Sequence, residues 1–83
     1  MAMHGRRTYV NENGFLPMGE GDYGRDANGV WWARCPGARS GASLTDHSVE
    51  EHEDGTITCS PSLLIPGVYH GFLVRGEWSE SSE

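Results

Sequence analysis

Four His, two Cys and twelve Asp or Glu in an 83-residue chain are the groups from which any chemistry would have to be built. His47 and His52 bracket Ser48-Val49-Glu50-Glu51 in a pattern close to the zinc-peptidase helix, where two His four residues apart face one ion and a Glu activates water. Here the two His are five apart. That separation is about 140° around a helix, and on a strand it sends the rings to opposite faces. The segment reads instead as a solvated acidic edge, of the kind that discourages unwanted sheet pairing. Gly19-Glu20-Gly21-Asp22-Tyr23-Gly24 spells the dinucleotide fingerprint, but Pro17 interrupts any preceding strand and Glu20 and Asp22 would repel phosphate. Gly37-Ala38-Arg39-Ser40-Gly41 is one residue out of register with the serine-hydrolase elbow. No nucleophile is nominated, and the chain reads as non-enzymatic.

Cys35, Cys59 and His70, with His47 or His4 as a fourth ligand, have the donor types of a tetrahedral zinc site. Neither cysteine belongs to a C-x-x-C pair. The same residues also read as two small buried thiols with a hydrogen-bonded core histidine, or as a Cys35–Cys59 disulfide. The expectation is therefore no cofactor, with zinc as the alternative.

Charge restricts the partners. Residues 1–42 carry five Arg against four acids, whereas residues 43–83 carry one Arg against eight, and there is no Lys. Such a chain lacks the dense positive charge that gives affinity for a phosphate backbone, which argues against nucleic acid. Leu63-Leu64-Ile65 is the longest aliphatic run, far below the roughly 20 residues of a membrane span. Arg6-Arg7 echoes a twin-arginine signal, yet no apolar stretch follows it. No membrane role is expected.

The elements that must position these groups are short. Asn13-Gly14, Asn28-Gly29, Pro36-Gly37, Asp54-Gly55, Pro66-Gly67 and Arg75-Gly76 are turn signals, and the segments between them have strand length. The spacing predicts an all-β fold: a single small antiparallel sheet or partly open barrel with an irregular Gly-rich N-terminal arm. Strands are expected over 30–35, 56–60 and 68–74, the last closed by an Arg75-Gly76 hairpin onto Trp78. Residues 44–52 are read as a strand, with a short helix as the alternative. The expected organisation is an arm with short strands over 1–29, a β domain over 30–79 and a tail over 80–83. Alternation puts Trp31, Ala33 and Cys35 on one face, opposite Trp32. It also puts Val68, His70, Phe72 and Val74 opposite Tyr69 and Leu73, so that the cysteines and His70 lie on apolar faces. Val, Leu, Ile and Phe together number only 14 residues, so the core must be thin and lean on aromatics.

Two stretches read together carry a resemblance: Trp31-Trp32-Ala33-Arg34-Cys35-Pro36-Gly37, then Asp54 to Leu64 with Tyr69 to Trp78. They resemble a family of small proteins common in tailed-phage genomes, built on a Trp-x-Cys-Pro-x-Cys opening, a Thr-x-Ser-Pro-Ser strand and a Cys-His-x-Phe hairpin. Members look like small zinc-binding β domains, and the resemblance places Cys35 and His70 at ligand positions. The second opening cysteine is Ala38 here, and the cysteine before the hairpin histidine is Tyr69. The resemblance implies a phage origin. The expected function is thus a non-enzymatic phage protein acting as a small protein-binding module, a minor virion component that decorates the capsid or serves the head or tail. Its partners would be other phage structural proteins or itself, in a larger assembly. The alternatives are an early-expressed accessory protein that binds a host factor in the host cytoplasm through its acidic half, and a small structural-zinc module. Arg6, Arg7, Tyr9 and Trp32 are the expected partner-binding residues, since Arg, Tyr and Trp dominate interface centres.

Overall fold

Arg75 and Gly76 both adopt left-handed backbone conformations, with φ of +47° and +78°, which is the geometry of a two-residue type I′ hairpin turn. That turn joins the two strands around which the protein is organised. The computed structural model describes residues 2–80, so residues 81–83 of the expected tail lie outside the described residues. Within that range the chain is all-β. It forms β1 (Ala2–His4), β2 (Arg6–Arg7), β3 (Asp22–Arg25), β4 (Trp31–Ala33), β5 (Ala42–Ser43), β6 (Ser48–Glu51), β7 (Ile57–Ile65), β8 (Tyr69–Val74) and β9 (Glu77–Glu80).

The strands divide between two sheets and are not gathered in one. The larger sheet has the order β1-β9-β8-β7-β6 and is antiparallel throughout. The smaller has the order β2-β3-β4-β5, with β2 and β3 parallel and the remaining pairs antiparallel. The chain steps from one sheet to the other at Gly5, whose N–H donates to Gly76 O at 2.7 Å. A Cβ at that residue would lie 2.7 Å from Gly21 O and 2.8 Å from Trp78 Nε1, so only glycine lets the crossing run so close to the core. Residues 1–29, expected as an arm with short strands, contribute β1 to the large sheet and β2 and β3 to the small one.

β7 runs further than the 56–60 segment predicted. Its register against β8 shifts between Cys59 and Leu63, where Pro61 has no N–H to give to a ladder. A bulge absorbs the defect and pairing resumes with Leu63 opposite Gly71.

The core lies between the sheets. Trp78, Tyr23, Ile57, Leu73, Cys35 and Cys59 are its largest fully buried side chains. Trp78 Nε1 donates to Gly21 O at 2.8 Å, satisfying the one polar atom of the indole across the sheet gap. Tyr69 meets the Trp78 ring edge to face, with centroids 5.6 Å apart. Gly71 makes this possible, because a Cβ there would sit 2.6 Å from the Tyr69 hydroxyl. The buried face of β8 is therefore Tyr69, Gly71 and Leu73, and the face carrying His70, Phe72 and Val74 looks outward. His70 is not a core histidine; it lies beside Ser62, with Oγ···Nε2 at 3.4 Å.

Candidate functional site

The β3–β4 turn fixes the first wall of a cleft. Asp26 Oδ1 accepts from the N–H groups of Asn28 and Val30, both at 2.9 Å, while Oδ2 accepts from Trp32 Nε1 at 2.8 Å. Hydrogen bonds to the charged form, that from Val30 foremost and then that from Trp32, hold the Asp26 carboxyl below the ordinary carboxylate range. One carboxylate thus closes the turn and locks the indole of a residue on the outer face of the small sheet.

Opposite Trp32 in the register stands Gly24. It leaves the neighbouring strand bare there, and the chain after β2 fills the space: a Cβ on Gly24 would meet Thr8 O at 2.5 Å and Leu16 Cδ1 at 3.0 Å. Thr8 N–H donates to Tyr23 O at 2.8 Å, carrying the parallel pairing one step beyond β2. The segment then turns at Asn11, whose side-chain oxygen accepts from the N–H groups of Asn13 at 2.9 Å and Phe15 at 3.0 Å, an Asx-type turn that leaves Phe15 63% exposed. The result is a solvent-open cleft of about 420 Å³ between Trp32, Phe15, Leu16 and Met18, with Asp26 and Arg39 at its margins. Arg39 is exposed and makes no hydrogen bond or ion pair among the described residues.

A second feature lies on the outer face of the large sheet. Phe72 and Val74 alternate along β8 at 46% and 49% exposure, and Leu64, at 61%, stands on β7 diagonally across from Phe72. Beside this apolar ridge Glu77 pairs with Val74 in the register, and its carboxylate contacts the His4 imidazole.

The expected docking residues are divided between two places. Trp32 lines the cleft. Arg7 is used within the molecule, only 13% exposed, with Nη1 donating to Glu51 Oε2 at 2.9 Å and Gly55 O at 2.8 Å. Its guanidinium lies 4.6 Å from the centroid of Tyr9 and 4.9 Å from that of Trp31, so it is clasped between two rings where the sheets meet. Tyr9 remains exposed on the outside of that stack. Arg6 is exposed but tethered to the buried Asp22 carboxylate at 3.0 Å.

Cys35 and Cys59 are both free and buried in the core. Burial, and then the nearness of Cys35, pushes the Cys59 thiol up to about 11, and burial raises Cys35 as well. Cys35 lies in the core and His70 on the far side of the large sheet, so the two do not come together. No cluster of three metal-ligating side chains occurs among the described residues. The residues present do not fit zinc.

Sequence reasoning missed Phe15, Leu16, Met18 and Arg39, which converge on Trp32 only through the fold of the 8–18 segment. Asp26 had a local signal in Asp-Ala-Asn-Gly, a turn sequence whose first residue accepts from the N–H groups that follow. No protein-family model matches the chain, and neither a curated protein nor a solved structure is significantly similar to it.

Proposed function

We propose that this chain is a non-enzymatic protein-binding module whose setting is the one its motif resemblance implies, a minor component of a tailed-phage virion docked on other structural proteins or on copies of itself. The observation that carries the binding role is the Leu64–Phe72–Val74 ridge. A chain with 14 Val, Leu, Ile and Phe residues can ill spare three from its core, yet these stand in water together on one sheet face. Contiguous exposed apolar surface rimmed by polar groups is the usual mark of a protein contact.

Mass spectrometry of purified particles tests the proposal, with Phe72→Ser alongside. Phe72 is exposed, so the variant should fold with unchanged melting and be depleted from particles. A chain absent from particles overturns the virion reading, and full incorporation of the variant overturns the role of the ridge.

A second reading has one observation in its favour. Glu50, Glu51, Glu53 and Asp54 line a depression together with His52 and Arg75, an acidic surface suited to a basic host factor. A partner released by a modest rise in salt would favour that reading.

A further inference from the structure

We propose that the Trp32 cleft takes an extended segment of a partner protein, seating one aromatic or large aliphatic side chain against Trp32 and Phe15 and placing a neighbouring carboxylate on Arg39. The inference rests on the protein-binding reading for the nature of the occupant, and it concerns a different surface from the ridge.

Shape limits the occupant. A volume of about 420 Å³ lies toward the small end of ligand sites, enough for one large side chain with its flanking backbone. Polarity limits it further. The indole N–H of Trp32 is already donated to Asp26, so the residue offers a ring face and no hydrogen bond. Leu16, Met18 and Phe15 add apolar and thioether surface, which suits an aromatic or aliphatic insert.

The two charges at the margin are not equivalent. Asp26 is met by three N–H donors, which leaves its carboxylate little demand for a further cation. Arg39 has no partner among the described residues and is the unmet charge of the site. An anionic group on the occupant is the complement, and an Asp or Glu next to the inserted residue supplies it.

The backbone nearby accounts for an extended polypeptide. Gly41, in the cleft lining, leads directly into β5, the edge strand of the small sheet, whose far side pairs with no strand among the described residues. A segment laid along that edge would gain main-chain hydrogen bonds while its alternate side chain enters the cleft.

Two-dimensional amide NMR of the full chain, titrated with acetyl-Gly-Phe-Asp-Gly-amide, acetyl-Gly-Phe-Asn-Gly-amide and acetyl-Gly-Gly-Asp-Gly-amide, tests this. The Phe-Asp peptide should shift the Trp32 indole N–H and the Gly41 amide saturably. The Phe-Asn peptide should bind about two- to fivefold more weakly, the contribution of an exposed ion pair. The peptide without Phe should not saturate. Arg39→Ala should make the Asp and Asn peptides equal without altering melting, and Phe15→Ala should weaken both. Equal affinities for the two peptides in the unmodified chain, shifts confined to Phe72 and Val74, or no saturable shift at Trp32 would each overturn the proposal. All three outcomes can occur with the chain present in particles, so failure here is separable from failure of the virion reading.

Discussion

Truncating Arg7 to Ala should destabilise the protein far more than removal of a surface arginine. The guanidinium joins the small sheet to the end of β6 through Glu51 and to the β6–β7 connection through Gly55 O, and it stacks between Tyr9 and Trp31. Each cation–π contact contributes about 0.5–1 kcal/mol at a partly exposed site. The hydrogen bond to the Gly55 carbonyl adds about 1 kcal/mol. Against these stands Arg7 Nε, buried without a partner, whose desolvation penalty of about 1 kcal/mol disappears with the side chain. The net expected loss is about 1–2 kcal/mol, which for a domain of this size lowers Tm by roughly 5–15 °C. Arg7→Lys separates the contributions. An ammonium can still donate to both acceptors but cannot lie flat between two rings, so about half the loss should return. Urea titrations followed by circular dichroism measure both variants. The loss in Arg7→Ala should persist at about 0.5 M salt, because stacking and the carbonyl bond are screened little. An Arg7→Ala midpoint within about 0.5 kcal/mol of the parent, the range of ordinary surface substitutions, would refute the clamp and return Arg7 to the pool of docking residues.

Three further outcomes follow from the same geometry. Gly24→Ala should cost about 1–3 kcal/mol through forced overpacking against Thr8 O, and because the 8–18 segment must lift away, the Trp32 indole resonance should lose its response to the Phe-Asp peptide; an unchanged response would contradict this account of the cleft. Glu51, Asp26 and Asp54 are held below the ordinary carboxylate range by the Arg7, Val30 and Thr56 hydrogen bonds respectively, so their stabilisation is complete above the unfolded values near 4 and is lost as pH falls through the folded ones. The urea midpoint should therefore hold from neutral pH to about 5 and fall below it, and a midpoint that rises on acidification would be inconsistent with these contacts. Cys59, raised to about 11, contributes stability below the unfolded thiol value that disappears as pH rises through the folded one. At pH 8 both thiols should react with a disulfide reagent only as fast as the chain unfolds globally, and faster in Arg7→Ala; rapid labelling of the native protein would show that the core is more open than described.

The parts of the fold legible in the sequence are those that local chemistry decides. Arg75-Gly76 between two alternating segments specifies a hairpin by itself, and the strand at 48–51 appears where the acidic edge was read. What escaped depends on residues far apart in the chain. Gly5, Gly24 and Gly71 carry no local signal of their role, yet each is needed for what approaches it: the Trp78 indole, the Thr8 carbonyl and the Tyr69 hydroxyl. The chain crosses between the sheets at Gly5 and again between β5 and β6, and neither crossing carries a periodic signal. Arg7 and Trp32 were both singled out by residue type, because Arg and Trp are common at interfaces. Type alone cannot separate an arginine that grips a partner from one that grips its own chain, and the Glu51 and Gly55 acceptors lie more than 40 residues away.

The face assignment of β8 carries the most functional weight. Alternation separates two sets, one of Val68, His70, Phe72 and Val74 and the other of Tyr69 and Leu73. The fold buries the other, because Tyr69 and Leu73 can pack on Trp78 across a glycine whereas Phe72 and Val74 cannot reach it. Leaving Leu64, Phe72 and Val74 about half exposed forgoes roughly half of the 1.5–3 kcal/mol that full burial gives each side chain, in a protein whose core holds few large aliphatics, Leu44, Ile57, Leu63 and Leu73. Reversing the alternation would not recover that stabilisation, since the aromatic stack would then face water. A partner covering the ridge, as proposed above, would recover it without disturbing the core, because the outward set packs on nothing that the core needs.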